Sequence, residues 1–187
     1  MNELSSLLIR HWLLAAATLL AVMLIGAVAF VHLGVYNVAA TGQHTGPVYW
    51  LTDTVMRHSI SRRGKDITAP VLDDPARIGR GLTLYIAHCE QCHGGPGVAP
   101  QPFALGLTPI PANLVETSRR WPPGDIFWTA KYGIKMTGMP AWKYRLDDEQ
   151  LWDLVAFIEQ LAQLAPTDYR ARRKAVEQHH AAAEAHP

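Results

Sequence analysis

Cysteine is almost missing from this chain. Only two of its 187 residues are Cys, and both lie in one string, Cys89-Glu90-Gln91-Cys92-His93. No thiol remains for a structural disulfide or an iron–sulfur cluster. An excess of one charge is missing too. Seventeen Lys and Arg stand against sixteen Asp and Glu, a formal net charge of +1, which leaves no electrostatic footprint for nucleic acid. Finally, no Asp, Glu, Lys or Arg occurs between Arg10 and Asp53. Within that stretch Leu13 to Val31 is apolar except for Thr18 and Gly26. A run of about 20 residues matches a hydrocarbon core of about 30 Å and exceeds the usual core of a signal peptide. The expectation is an uncleaved signal anchor over 12–36, with Trp12 and Tyr36 at the interfaces and 1–11 in the cytoplasm. The alternative is cleavage after the small residues Ala27-Val28-Ala29.

Residues 37–73 read as an interfacial helix followed by a linker. Thr45-Gly46-Pro47 can open a helix, and Val48, Leu51, Val55 and Met56 share one of its faces ahead of Arg57, Arg62 and Arg63. Such a segment suits the headgroup region or the surface of a partner subunit. Gly64 to Asp74, with Pro70 near its end, reads as the linker, so the core is expected to begin at residue 74.

There Asp74 can cap a helix whose first position is Pro75 and which runs into the cysteine string. The spacing in that string has a chemical reason. Two thiols three residues apart can add across two vinyl groups on one porphyrin edge, and the turn between them sets the next residue, His93, under the iron. One covalently bound haem c, with His93 as proximal iron ligand, would account for all the cysteine. A zinc site would need a second pair of ligands, and the other histidines show no such spacing. The distal ligand must come from Met136 or Met139 in Gly133-Ile134-Lys135-Met136-Thr137-Gly138-Met139-Pro140. Gly138 permits close backbone approach and Pro140 stiffens the loop beyond it, which favours Met139 and leaves Met136 as a packing residue. Covalent haem attachment is expected on the oxidising, outer side of a bacterial inner membrane, so everything after the anchor is expected there, in the periplasm.

Asp147 with Gln150 forms a capping pair for a helix carrying Leu151, Leu154, Val155, Ile158 and Leu161 at helical spacing. Its expected partner is the helix before the cysteines, where Gly79 or Gly81 would allow close crossing and Tyr85 would meet Phe157. Pro123 to Tyr132 reads as a shorter helix stopped by Gly133. The fold class is therefore all-α, with the domain over 74–165 and a tail over 166–187. The tail, rich in Ala, Arg and His, is expected as a solvated helix, its His179, His180 and His186 incidental rather than a metal site.

Residues 74–163 resemble the class I cytochrome c domain, close to the bacterial single-haem and oxidase-linked forms. Gly81, Tyr85 and Cys89 match that family's spacing, Gly138-Met139-Pro140 its distal loop, and Asp153-Leu154-Val155-Ala156-Phe157 its last helix. The resemblance implies His93 and Met139 as axial ligands, with the Pro111 carbonyl accepting a hydrogen bond from the other imidazole nitrogen of His93. With both axial positions filled by protein, no catalytic residue and no small-molecule substrate are expected. The function implied is single-electron transfer by a membrane-tethered carrier or by the cytochrome subunit of a respiratory complex, such as a terminal oxidase, working with redox-protein partners. Alternatives are a haem-containing electron-entry subunit of a dehydrogenase, and a haem sensor or assembly subunit. Lys131, Lys135, Lys143 and Arg145 form a local run of basic residues that could face an acidic partner.

Overall fold

The computed structural model describes residues 3–184 and divides the chain into two compact units at Ala39 and Ala40. The first is essentially one helix, α1 (Glu3–His32), of which Ser5–His32 is long and apolar enough to cross a membrane. Its one mid-helix hydroxyl is satisfied within the helix, Thr18 Oγ1 donating to the Leu14 carbonyl at 2.9 Å.

The second unit is all-helical, and no strand occurs among its described residues. It contains α2 (Gly46–Gly64), α3 (Pro75–His88), α4 (Glu90–His93), α5 (Leu114–Ser118), α6 (Pro123–Tyr132), α7 (Asp148–Gln160) and α8 (Pro166–Glu184). Single 3-10 turns lie at Pro102–Gly106 and Trp142–Tyr144. Helix starts follow local chemistry. The Asp74 carboxylate accepts from the Ala76 and Arg77 amides ahead of α3. At α7 the Asp147 side chain takes the Gln150 amide while the Gln150 side chain takes the Asp147 amide, a reciprocal cap. Gly133, with φ 66°, ends α6 in a conformation that costs a side-chain-bearing residue more than glycine.

The core is built on α7. Rather than burying one stripe, it buries every residue from Leu151 to Ile158, because α3, α5 and α6 all pack against it. The α3–α7 crossing is the closest approach. A Cβ on Gly81 would collide with the Asp153 carbonyl and lie 2.9 Å from the Phe157 Cβ, whereas Gly79 faces open space. Tyr85 packs on Phe157 with ring centroids 5.2 Å apart, and Phe127 stacks on Trp152 at 4.2 Å. Burial of each such ring contributes about 1.5–3 kcal/mol. Beside the crossing, Arg80 grips the buried Asp153 carboxylate with Nε at 2.7 Å and Nη2 at 2.9 Å, and Arg77 Nη1 adds a contact at 3.4 Å.

The packing does not stop at residue 74. Ile60 and Gly64 at the end of α2 are buried, and α2 packs on α6. Gly64 and Gly124 face each other so closely that a Cβ on either would strike the other segment's backbone. Nor is the tail solvated throughout. Tyr169 on α8 is fully buried, its ring 6.4 Å from that of Phe157. Of the tail histidines, His186 lies outside the described residues, and no cluster of three metal-ligating side chains occurs among those described.

Gly81→Ala is expected to destabilise the folded domain by about 1–3 kcal/mol, because the crossing has no room for a methyl group. Gly79→Ala, on the same helix but unobstructed, is expected to be neutral or to stabilise by up to about 1 kcal/mol. Denaturant midpoints of the two variants, with unchanged m-values, check both.

Candidate haem-binding site

Helix α3 delivers its C-terminus into the cysteine string without a break. The Cys89 amide donates to the Tyr85 carbonyl at 2.8 Å, and the Cys92 and His93 amides both return to the Cys89 carbonyl at 3.0 and 2.9 Å. Thus α4 is a single turn that sets Cys89, Cys92 and His93 around one loop of backbone. Gly94, at φ 63°, then turns the chain away, and its carbonyl accepts from the Tyr85 hydroxyl at 2.7 Å. The same tyrosine therefore packs on α7 and anchors the turn.

Both cysteines are free thiols. Cys89 is buried, and burial pushes its thiol up to about 12. Cys92 is partly buried and shifted upward for the same reason. Cys89 and Cys92 are therefore held as neutral thiols near pH 7.

His93 is half-buried, and its Nδ1 lies 2.8 Å from the Ala112 carbonyl. A carbonyl only accepts, so Nδ1 carries the hydrogen and the lone pair sits on Nε2. Burial lowers the imidazole's pKa, and the bond to Ala112 opposes that shift in part. Nε2 has no hydrogen-bond partner among the described residues, which leaves it as a neutral nitrogen donor. The acceptor is thus Ala112 and not the Pro111 expected from the resemblance. Asn113 caps α5 by accepting the Val115 amide at 2.9 Å, and the helix start fixes which carbonyl before the cap meets the imidazole.

The two methionines are clearly separated. Met136 has φ 60° and is 97% exposed, so it is not the packing residue expected from the sequence. Met139 is partly buried and pinned by backbone bonds: its amide donates to Thr137 Oγ1 at 3.1 Å, and its carbonyl takes the Ile134 amide at 3.2 Å. Thr137 Oγ1 in turn donates to the Ile134 carbonyl at 2.8 Å. Gly138 lies against Leu107, whose side chain a Cβ there would meet at 2.7 Å. On the other flank, the His88 ring contacts Trp142 at 4.8 Å between centroids. The residue before Cys89 thus touches the residue three beyond Met139, and the cysteine turn and the methionine loop share one side of the domain.

The donor set suits a haem: two thiols, a neutral imidazole nitrogen, a thioether on a fastened loop, and the exposed apolar side chains Phe103, Leu105 and Ile110 between them in sequence. The expected run of basic residues is thinner than its sequence suggests. Lys131 pairs with Asp148 at 2.6 Å and is mostly covered, and Lys143 sits over the Tyr132 and Tyr144 rings at 5.4 and 5.0 Å. Sequence reasoning missed Glu90, a buried carboxylate inside the cysteine string held by Tyr169 and Arg173 of α8. Its only local signal is a charged residue between the two cysteines.

Comparison with known proteins agrees with this geometry. The family described as cytochrome C oxidase, cbb3-type, subunit III matches residues 76–158. The quinohemoprotein alcohol dehydrogenase of Comamonas testosteroni is 30% identical over 132 residues, covering 67% of this chain but only 18% of that protein. The chain thus spans less than a fifth of that relative's length. The family match takes in the helix ending in the cysteine turn, the imidazole behind it and the capped helix that closes the core, and the domain formed by residues 76–158 belongs to the class I c-type cytochromes, which transfer electrons through haem.

Proposed function

We propose that this chain is a membrane-anchored, single-haem electron carrier. The haem is held covalently by Cys89 and Cys92 and ligated by His93 and Met139, on the periplasmic side of a bacterial inner membrane. The observation that carries the reading is the state of His93, whose Nδ1 is committed to Ala112 while Nε2 has no hydrogen-bond partner among the described residues, directly after two free cysteines. Bound haem supplies an iron that exchanges one electron between Fe(II) and Fe(III). The chain supplies rigidity and shelter. Ala112 keeps the imidazole in one tautomer and orientation, and the Thr137 bonds hold the Met139 backbone. The α3–α7 crossing fixes the turn that bears the cysteines, so little has to reorganise when the charge changes.

Assignment as a subunit of a larger respiratory complex, such as a terminal oxidase, draws on the oxidase-subunit family that matches 76–158. A second reading has its own support. The 30% identical relative is named as a quinohemoprotein alcohol dehydrogenase, which favours a haem-containing electron-entry subunit of a dehydrogenase. Proteins that purify with this chain in mild detergent separate the two. Membrane attachment draws on α1, whose apolar side chains are exposed along its length. Val48, Tyr49, Trp50 and Leu51 at the start of α2 are exposed as well, which suits contact with lipid headgroups or a partner subunit.

Met139→Ala is expected to leave the oxidised iron high-spin or open to added ligands, while Met136→Ala keeps the low-spin absorption spectrum. The opposite pattern would reverse the assignment of the distal ligand. Replacing Cys89 and Cys92 together by Ala is expected to abolish haem staining on a denaturing gel, and full staining in that variant would end the covalent reading. Extraction tests the anchor: the full chain is expected to resist high salt and alkaline carbonate and to dissolve only in detergent, whereas release by salt alone would rule out a spanning helix.

A further inference from the structure

Helix α8 lies outside the residues matched by the cytochrome family, which end at 158. Even so, it makes specific contacts with the cysteine turn. The Tyr169 hydroxyl donates to Glu90 Oε1 at 2.6 Å, and Arg173 Nε donates to Glu90 Oε2 at 2.8 Å. Glu90 is 8% exposed and Tyr169 is 0% exposed. Both oxygens of a buried carboxylate inside the Cys89–His93 string are therefore satisfied by α8. Arg173 is held in turn by Glu177 at 3.0 Å.

The helix also closes on the outgoing side of the turn. A Cβ on Gly95 would lie 2.5 Å from the Tyr169 ring, and one on Gly97 would lie 2.7 Å from the Pro166 Cβ and from Arg170 Nη1. Glycine at these two positions is what lets α8 lie flat against the turn. A solvated tail would need neither a buried tyrosine nor two glycines cleared of side chains beneath it. A carboxylate taken from water must keep partners of matched geometry, and here both come from one face of α8, at positions 169 and 173 one helical turn apart.

We propose that α8 is a clamp on the haem-attachment turn, in which Tyr169 and Arg173 are positioning residues that hold Glu90 and so fix the Cys89–His93 turn and the charge beside it. The clamp rests on the haem reading given above, since its electrostatic consequence is felt by the iron. A negative charge at Glu90 favours Fe(III), and the positive charge of Arg173 offsets part of it.

The test is a redox titration of the full-length protein in detergent, with hydrogen exchange followed over residues 90–97. Glu90→Gln is expected to shift the ratio of reduced to oxidised haem at a fixed applied potential roughly three- to tenfold towards reduced, tenfold corresponding to about 59 mV for one electron. Arg173→Gln is expected to shift it the other way, and the double variant to return to within about twofold of the parent. A role in packing alone would not produce opposite signs that cancel. Tyr169→Phe keeps the ring and loses one hydrogen bond, and is expected to speed exchange over 90–97 at least roughly tenfold. Unshifted ratios in both charge variants, or unchanged exchange in Tyr169→Phe, overturn the clamp. Should Glu90→Gln load no haem, the exchange result in Tyr169→Phe decides. Haem staining of the parent protein keeps the two ideas apart. An unstained parent sinks the haem reading, whereas a stained parent with unresponsive variants sinks the clamp alone.

Discussion

The structure depends most on one contact, the crossing of α3 over α7 at Gly81. Because no side chain separates the two backbones there, α3 lies directly against the Asp153 carbonyl. Its direction is then set by the Arg80–Asp153 grip and by Tyr85 against Phe157. Direction is what matters, since α3 runs straight into Cys89. Any tilt of the helix would move both thiols and the imidazole as one body. The same tyrosine that packs the crossing also holds the Gly94 carbonyl, so core packing and site geometry share an atom network rather than merely lying next to each other.

A charge buried at such a crossing needs its partners. Asp153 keeps only 4% of its surface exposed, and removing either arginine would leave a carboxylate in a dry environment with incomplete compensation. The value of the pair lies in specificity of geometry more than in net stability. A bidentate guanidinium accepts one relative placement of the two helices and few others. Glu90 repeats the arrangement at the other end of α3, with a tyrosine and an arginine in place of two arginines.

Much of this was legible in the sequence, and the reasons are local. Asp74-Pro75 and Asp147 with Gln150 announce helix starts because a cap is satisfied within a few residues. The Gly133 stop could be read because glycine at such a place has few other uses, whereas the crossing was legible only as Gly79 or Gly81, and it is the packing on Asp153 and Phe157 that selects Gly81. What escaped is non-local or a matter of register. The imidazole acceptor is Ala112, one residue from the expected Pro111, because the α5 cap, well downstream of the histidine, sets the phase of the chain there. The seat of α2 on α6 depends on two glycines, at 64 and 124, that have no sequence relation. The contacts of α8 with Glu90 span 79 and 83 residues, and no periodicity within the tail points towards a carboxylate so far away.

The burial of Cys89 bears on the order in which the molecule is made. With 5% of its surface exposed and its thiol pushed up to about 12, this sulfur is neither reachable nor nucleophilic once the helices have closed around it. If the haem is attached as proposed, bond formation at Cys89 belongs to a chain that is still open. Under the covalent attachment proposed above, a domain that folds too early shuts out its own prosthetic group.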